Sequence, residues 1–156
     1  MFTFLAIGKT GNGKSALCNT ILGRDEFETG SRMDNTTETT QYAETERAGL
    51  RITVVDTPDL TNYLDDPTKQ ERELSEWARL TKNSSRPYAV LLAVRCDVKY
   101  TPEEWEIYRK IKDAWDGSEM CKRLVVAFTF GDRQDKQIEK ELKEVCQELK
   151  SVLKDA

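Results

Sequence analysis

Four mostly apolar segments are spaced along this chain and predict buried strands. They are residues 2–7, 50–55, 87–95 and 122–129, and apolar runs of that length are typical of strands covered on both faces. Amphipathic stretches with apolar residues every three or four positions lie between them and predict helices, the last over residues 134–153. This alternation predicts an α/β fold in which a mostly parallel sheet lies between two layers of helices.

One segment departs from the alternation. Residues 39–46 alternate between the two faces of an exposed strand, and Ala48-Gly49 offers a tight turn into the strand at 50–55. This pattern predicts a hairpin, and hence one antiparallel strand in the sheet. Residues 24–40 just before it are polar and show no apolar periodicity, which is typical of a long mobile loop.

Two helix starts are marked by capping residues. Asp66-Pro67 places an N-cap before a proline at the first helical position, and residues 101–104, Thr-Pro-Glu-Glu, form a capping box. An apolar face is expected on each helix. Its members are Leu74, Trp77, Ala78 and Thr81 on the first and Trp105, Tyr108, Ile111 and Trp115 on the second. Aromatic stripes of this kind are more often core than binding site.

The turn between the first strand and the first helix carries the strongest chemical signal. Residues 8–15 read Gly-Lys-Thr-Gly-Asn-Gly-Lys-Ser, which matches the phosphate-binding pattern G-x-x-x-x-G-K-[ST] in its strand–loop–helix setting. The glycines let successive backbone N–H groups point inward at phosphate oxygens, and the helix turns its positive dipole end toward them. Lys14 can reach the β- and γ-phosphates, and the Ser15 hydroxyl can ligate Mg²⁺. We therefore expect a nucleoside triphosphate or diphosphate as the ligand.

Asp56 is a second expected contributor to the Mg²⁺ site. It follows the buried strand 50–55 and stands one loop away from the phosphate-binding turn. An acid at the carboxyl end of such a strand is where a P-loop enzyme holds Mg²⁺ through water.

Composition narrows the classes of partner. Acidic residues outnumber basic ones by 28 to 24. The chain therefore lacks the net positive charge that would attract nucleic acid or anionic lipid. It has no histidine, and its four cysteines form no C-x-x-C pair, which argues against zinc and for reduced thiols in the cytoplasm. Its apolar runs are too short to be a transmembrane segment, and 156 residues suit a single domain.

The residues after the last predicted strand are expected to choose the base. Thr129-Phe130-Gly131-Asp132 stands where GTPases carry an N/T-K-x-D element, whose aspartate accepts two hydrogen bonds from guanine. Adenine lacks that donor pair, so Asp132 favours guanine. Phe130 replaces the lysine with a ring that can cover a purine. The expected nucleotide-binding residues are thus Gly8, Lys9, Thr10, Gly11, Asn12, Gly13, Lys14, Ser15, Ala16, Thr129, Phe130 and Asp132.

Taken together, these residues resemble the GTPases of immunity-associated proteins, the GIMAP type, which are related to septins and to chloroplast-import GTPases. The resemblance rests on residues 8–15 running on to Asn-Thr-Ile-Leu-Gly at 19–23, on Val-Asp-Thr-Pro at 55–58, and on residues 88–104 and 128–132. It covers essentially the whole chain. It implies a Ras-like P-loop GTPase fold and a single G domain over residues 1–156, truncated before the last strand.

The resemblance also implies roles for individual residues. Thr37 would be the first-switch threonine that closes on Mg²⁺ when the γ-phosphate is present, with Thr36, Thr39 and Thr40 as rivals for that role. The implied metal-binding set is Ser15, Thr37 and Asp56. The implied catalytic set is Lys14, Thr37 and Lys99.

Partners are implied by the same resemblance. G domains of this family are similar in pairing face to face across the nucleotide, which implies a homodimer through the nucleotide face. Its members resemble membrane-associated scaffolds in immune or stress responses. The resemblance therefore implies a cytoplasmic protein, with membrane association in a longer form.

Three positions depart from the family's pattern. Asp59 stands where the family has a glycine whose N–H contacts the γ-phosphate, and a carboxylate there is expected to disfavour GTP relative to GDP. Leu60 occupies the place of the water-orienting glutamine of Ras-like enzymes. Lys99, with Arg95 nearby, stands where an arginine often precedes the tyrosine, and lysine lacks the guanidinium fork.

We therefore expect a guanine-nucleotide-binding protein with slow, Mg²⁺-dependent hydrolysis of GTP to GDP, acting as a switch or assembly module in an immune or stress response. An interaction scaffold that holds GDP, or no nucleotide, and does not hydrolyse GTP is the alternative that Asp59 and Leu60 motivate. An ATP-using P-loop enzyme is the third reading, and Asp132 opposes it.

Overall fold

Five strands form one sheet in the residues that the computed structural model describes, which are 1–29, 37–98, 101–115, 122–131 and 147. They are β1 (Phe2–Ile7), β2 (Gln41–Arg47), β3 (Leu50–Asp56), β4 (Tyr88–Arg95) and β5 (Leu124–Thr129), in the spatial order β2-β3-β1-β4-β5. The pairs β1–β3, β1–β4 and β4–β5 are parallel, and β2 runs antiparallel to β3. The predicted α/β fold class, with its single antiparallel hairpin, is confirmed.

Among the described residues, three α-helices connect the strands: α1 (Lys14–Leu22), α2 (Pro67–Leu80) and α3 (Pro102–Ala114). The two predicted starts are observed, because the Asp66 side chain accepts the backbone N–H of Lys69 at 3.0 Å and the Glu104 carboxylate accepts that of Thr101 at 2.8 Å. A short 3₁₀ helix (Leu60–Tyr63) follows β3 and was not predicted. No helix in the described part of the chain is long and apolar enough to cross a bilayer.

The core lies on both faces of the sheet, because alternate residues of β1 point to opposite sides. On one side Leu5 and Ile7 join a cluster that includes Trp77 of α2, Tyr108 of α3 and Trp115 just after α3. On the other side Ala6 packs with a smaller cluster from α1, β2, β3 and the segment after α1, whose members include Cys18, Leu22, Phe27, Ala43 and Val54. The carboxyl ends of β1, β3, β4 and β5 meet at one edge of this sandwich.

The buried face of α2 is more polar than its periodicity predicts. Trp77 is buried as expected, but Gln70 and Glu73 are also buried. The Gln70 amide donates to the Tyr63 carbonyl at 2.7 Å, and Glu73 accepts the Thr40 hydroxyl at 2.7 Å. Because buried polar groups are tolerated when they are hydrogen-bonded, these contacts account for the departure.

Two predicted segments lie wholly or partly outside the described residues. The helix predicted over 134–153 falls there except for residue 147, and so do residues 30–36 of the loop predicted over 24–40.

Candidate nucleotide-binding site

The loop between β1 and α1 has the backbone shape that a phosphate nest needs. Gly8, Gly11 and Gly13 have φ angles of 142°, 82° and 80°, which side chains of L-residues rarely tolerate. At Gly8 space is limiting as well, because a Cβ there would lie 2.7 Å from the carbonyl oxygen of Ala93 in β4. Gly13 is the N-cap residue of α1, whose first helical residue is Lys14. The loop therefore directs the amino end of α1 toward the sheet's functional edge.

The ammonium of Lys14 is enclosed beneath this loop. The residue is only 6% exposed, and its Nζ donates to the Lys9 carbonyl oxygen at 3.1 Å. Burial lowers the pKa of Lys14, while the nearby carboxylates of Asp59 and Asp56 act in the opposite direction. A lysine has three N–H donors, so this buried cation retains donors for an anionic ligand.

Hydroxyl groups from two elements converge on the Asp56 carboxylate. The Ser15 hydroxyl donates to Asp56 Oδ2 at 2.6 Å, and the Thr37 hydroxyl donates to the same oxygen at 3.3 Å. Asp56 is 1% exposed, and its Oδ1 has no hydrogen-bond partner among the described residues. Burial raises the pKa of Asp56, and the hydrogen bond from Ser15 and the charge of Lys14 oppose that rise.

This cluster fits Mg²⁺ by the chemistry of its atoms. All of the side-chain atoms that could ligate a metal here are oxygens, which Mg²⁺ prefers. Asp56 Oδ1 is buried and has no hydrogen-bond partner among the described residues, so it can still bind an ion. Within the described ranges no three acidic or cysteine side chains gather into an all-protein metal site. An ion held by one or two carboxylate or hydroxyl groups together with phosphate oxygens is the usual arrangement for Mg²⁺.

Asp59 and Leu60 lie just beyond this cluster, and both are buried. The Asp59 carboxylate faces the loop, because its Oδ2 accepts the backbone N–H of Thr10 at 2.6 Å. Leu60 is 2% exposed and packs within the larger core cluster. Its side chain is apolar and buried, so it cannot hydrogen-bond a water molecule at the loop.

The carboxyl end of β5 is tied to the other side of the loop. The Thr129 hydroxyl donates to the Asn12 carbonyl oxygen at 2.7 Å. Phe130 follows with a positive φ of 60°, and the Arg95 guanidinium carbon lies 4.1 Å from the centroid of its ring. Arg95 also bonds both carboxylate oxygens of Asp97 at 2.7 Å. The ring is thus backed by a guanidinium that an acid holds in place.

Four residues considered for the site either are not described or stand apart from these contacts. Lys99 and Asp132 lie outside the described residues, as does Thr36, one of the rivals for the switch role. Ala16 is the third residue of α1, and its side chain is exposed.

Two buried contacts of the site were not predicted. The Asn12 side-chain amide donates to Glu104 Oε1 at 2.9 Å and to the Ala93 carbonyl oxygen at 3.0 Å, which links the loop to the start of α3. On the opposite side, the Trp77 indole N–H donates to the Thr40 hydroxyl at 2.7 Å, and that hydroxyl donates to Glu73. Neither contact could be read from local sequence patterns, because each joins residues that are far apart in the chain.

Comparison with known proteins agrees with this geometry. A family model described as "AIG1 family" matches residues 2–156. This chain belongs to the AIG1 family. The AIG1-family chain is 32% identical over 127 residues to immune-associated nucleotide-binding protein 3 of Arabidopsis thaliana, covering 81% of this chain and 37% of that protein. It is also 32% identical over 133 residues to GTPase IMAP family member 8 of Mus musculus, covering 84% of this chain and 18% of that protein. The chain thus spans well under half the length of either relative.

Solved structures share the fold of this AIG1-family chain. Toc33 from Arabidopsis thaliana in complex with GDP and Mg²⁺ superposes with a TM-score of 0.72 at 20% identity, over 98% of this chain and 63% of that one. A second structure, at TM-score 0.71 and 20% identity over 97% and 60% of the two chains, is described with the finding that dimerization is important for the GTPase activity of the chloroplast translocon components atToc33 and psToc159. These likenesses show that the fold is that of a P-loop GTPase.

Proposed function

We propose that this AIG1-family chain binds a guanine nucleotide together with Mg²⁺ and hydrolyses GTP slowly to GDP. The observation that carries the proposal is the convergence of the glycine loop, the buried Lys14 ammonium and the Ser15–Asp56 pair at one edge of the sheet. The loop supplies backbone donors for phosphate, and Lys14 supplies a positive charge. Ser15, Thr37 and Asp56 supply the oxygens that would hold Mg²⁺, whose role is to neutralise phosphate charge.

The base assignment is supported by position. Thr129 connects β5 to the loop through Asn12, so Phe130, which follows it, borders the same site. Phe130 offers a ring for one face of a purine, and Asp132 would accept hydrogen bonds from the guanine edge.

Slow turnover is proposed because Leu60 stands at the place of the water-orienting glutamine of Ras-like enzymes and has no polar group. Leu60 is committed to the core, and the Arg95 guanidinium is engaged with Asp97 and Phe130. A second copy of the chain, paired through the nucleotide face, would then have to contribute a cation, and Lys99 is the candidate. Dimerization of Toc33 supports this part of the proposal.

The cellular role that we propose is a switch or assembly module in an immune or stress response. It is supported by the names of the relatives, which describe immune-associated nucleotide-binding proteins and an IMAP GTPase. A cytoplasmic location, with membrane association in a longer form, belongs to the same proposal.

One observation favours a second candidate, a GDP-bound scaffold that does not hydrolyse GTP. The Asp59 carboxylate lies against the loop's own N–H group, where it adds negative charge next to the expected phosphates.

Titration of fluorescent GDP, GTP and ATP, with Mg²⁺ and with a chelator, tests the proposal. We expect GDP and GTP to bind, ATP to bind much more weakly, and Mg²⁺ to strengthen nucleotide binding. ATP binding as tight as that of GTP would contradict the role of Asp132. Single-turnover hydrolysis at rising protein concentration should show a rate per subunit that climbs if pairing assists the reaction, whereas GDP binding without any hydrolysis would favour the scaffold.

A further inference from the structure

The Asp59 carboxylate is held rigidly at the mouth of the loop. The residue is 4% exposed. Its Oδ2 accepts the backbone N–H of Thr10 at 2.6 Å, and its Oδ1 accepts the backbone N–H of Thr61 at 2.9 Å and the Thr61 hydroxyl at 2.7 Å. Three hydrogen bonds therefore fix both oxygens, and charge-assisted bonds of this kind are among the stronger ones in proteins.

The donor that Asp59 occupies belongs to the loop itself. Thr10 is the third residue of the loop, which folds back on itself through a hydrogen bond from the Asn12 N–H to the Lys9 carbonyl oxygen at 3.1 Å. A carboxylate resembles a phosphate group in its negative charge and its acceptor oxygens. Lys14 lies close enough that Asp59 is the strongest of the charges favouring its ammonium form. Asp59 thus occupies a backbone donor that the loop would otherwise offer to a bound anion, and its charge acts on the cation that the anion would also approach.

We propose that Asp59 is a built-in competitor for the terminal phosphate, which makes this site select a nucleoside diphosphate over a triphosphate. The inference rests on the proposed function, since it assumes that the loop binds a guanine nucleotide. The carboxylate is compatible with a diphosphate that stops short of Thr10. A third phosphate must either displace the carboxylate from the Thr10 N–H or lie next to it. Two negative charges that lie next to each other in a buried site repel strongly.

Displacement of Asp59 would also disturb a neighbouring element. Asp59 is the N-cap of the 3₁₀ helix Leu60–Tyr63, and the Tyr63 hydroxyl of that helix donates to the Glu38 carbonyl oxygen at 3.1 Å. Glu38 directly follows Thr37, whose hydroxyl reaches Asp56. A triphosphate that moved Asp59 would therefore remove the cap of a helix that contacts the segment next to the Mg²⁺ cluster. Under this proposal, binding of a triphosphate would be coupled to movement of residues 37–40.

A purely structural role for Asp59 makes a different prediction. If the carboxylate only caps the 3₁₀ helix, its loss lowers the stability of the fold and weakens the binding of both nucleotides by the same factor. The ratio of the two affinities separates these roles, because a general loss of stability cancels from it.

The experiment measures the dissociation constants of GDP and of the non-hydrolysable triphosphate GMPPNP by calorimetry, in the presence of Mg²⁺. For the wild-type chain we expect GDP to bind at least about ten-fold more tightly than GMPPNP. Asp59→Asn keeps an acceptor for the Thr61 donors and removes the charge, and should shift the affinity ratio toward GMPPNP by about ten-fold or more. Asp59→Gly should shift the ratio in the same direction.

A control variant isolates the carboxylate. Asp65→Asn removes an equal charge from an exposed position nearby. It should leave the ratio unchanged. If Asp59→Asn binds both nucleotides with the wild-type ratio, the inference is wrong while the proposed function stands.

Two further outcomes are equally decisive. If neither the wild type nor Asp59→Asn binds any guanine nucleotide, the proposed function fails and this inference fails with it. If the Asp59 variants do not fold, the wild-type ratio decides alone, and equal affinities for GDP and GMPPNP overturn the inference.

Discussion

The two ends of the candidate site are built from different kinds of contact. At the end of β3, Asp56 and Asp59 are 1% and 4% exposed and are fixed by hydrogen bonds from hydroxyl and backbone donors. At the ends of β4 and β5, the partly buried Phe130 ring is backed by the Arg95 guanidinium. The first end presents buried charge, and the second presents an aromatic ring.

This difference divides the expected effects of substitutions. Buried charges act strongly on a ligand whose own charge varies, so changes at the β3 end should alter Mg²⁺ dependence or the preference for the number of phosphates. Stacking on a purine ring does not depend on the phosphates. Changes at the β4–β5 end should therefore weaken GDP and GTP equally.

The largest effect is expected for Lys14→Ala. Loss of the enclosed ammonium leaves the loop without its buried cation, and we expect the affinity for both GDP and GTP to fall by roughly a hundred-fold or more. Fluorescent-nucleotide titration measures the loss. Lys82→Ala is the matched control, because Lys82 lies outside the loop, is exposed, and donates only to the Ala114 carbonyl oxygen among the contacts described. Wild-type affinity in Lys14→Ala would contradict the phosphate-loop assignment.

Asp56→Asn should weaken the Mg²⁺ dependence of nucleotide binding. The amide keeps the size of the carboxylate but loses its charge. The factor by which Mg²⁺ strengthens nucleotide binding should therefore fall by about ten-fold. Titrations with Mg²⁺ and with a chelator give the two affinities for each protein, and Asp65→Asn serves as the control. A variant that still responds fully to Mg²⁺ would place the ion elsewhere.

Phe130→Ala should weaken GDP and GTP by a common factor of about ten, since one base–aromatic contact is worth roughly 1–3 kcal/mol. Phe128→Ala, two residues earlier in β5 and 39% exposed, is the aromatic control. An effect on one nucleotide alone would show that the division between the two ends is wrong.

The smallest effect is expected for Arg95→Gln. Exposed cation–π contacts are worth about 0.5–1 kcal/mol, so the affinity for both nucleotides should fall by only about two- to five-fold. Arg123→Gln removes a similar contact, with Tyr88 at the opposite end of β4, and should change neither affinity. A loss in Arg95→Gln as large as that in Phe130→Ala would mean that Arg95 itself contacts the nucleotide.

The parts of the site that could be predicted from the sequence depend on neighbours along the chain. Residues 8–15 form a loop whose shape follows from local backbone rules, and its glycines are at the positions where positive φ is observed. The start of α2 at Pro67 follows in the same way from the capping residue before it. Alternation of apolar and polar residues was sufficient to predict the β2–β3 hairpin.

The parts that could not be predicted depend on residues far apart in the chain. Asp59 and Thr10 are separated by 49 positions, and only the sheet order brings the ends of β1 and β3 together. By its helical position Glu73 is expected to face solvent, yet it is buried, because Thr40 just before β2 supplies its hydrogen bonds. Local patterns cannot report such a partner, because the same residue type would be exposed without it.

The contact between Trp77 and Thr40 makes tryptophan fluorescence a probe of the position of residues 37–40. The Trp77 indole is 1% exposed, lies 6.3 Å from the Trp115 ring, and donates its N–H to a hydroxyl three residues after Thr37. Because the emission of an indole depends on its burial and on its hydrogen bond, a movement of residues 37–40 would change the colour and yield of tryptophan fluorescence. The nucleotide state of the unlabelled protein would then be followed in real time by the light that it emits.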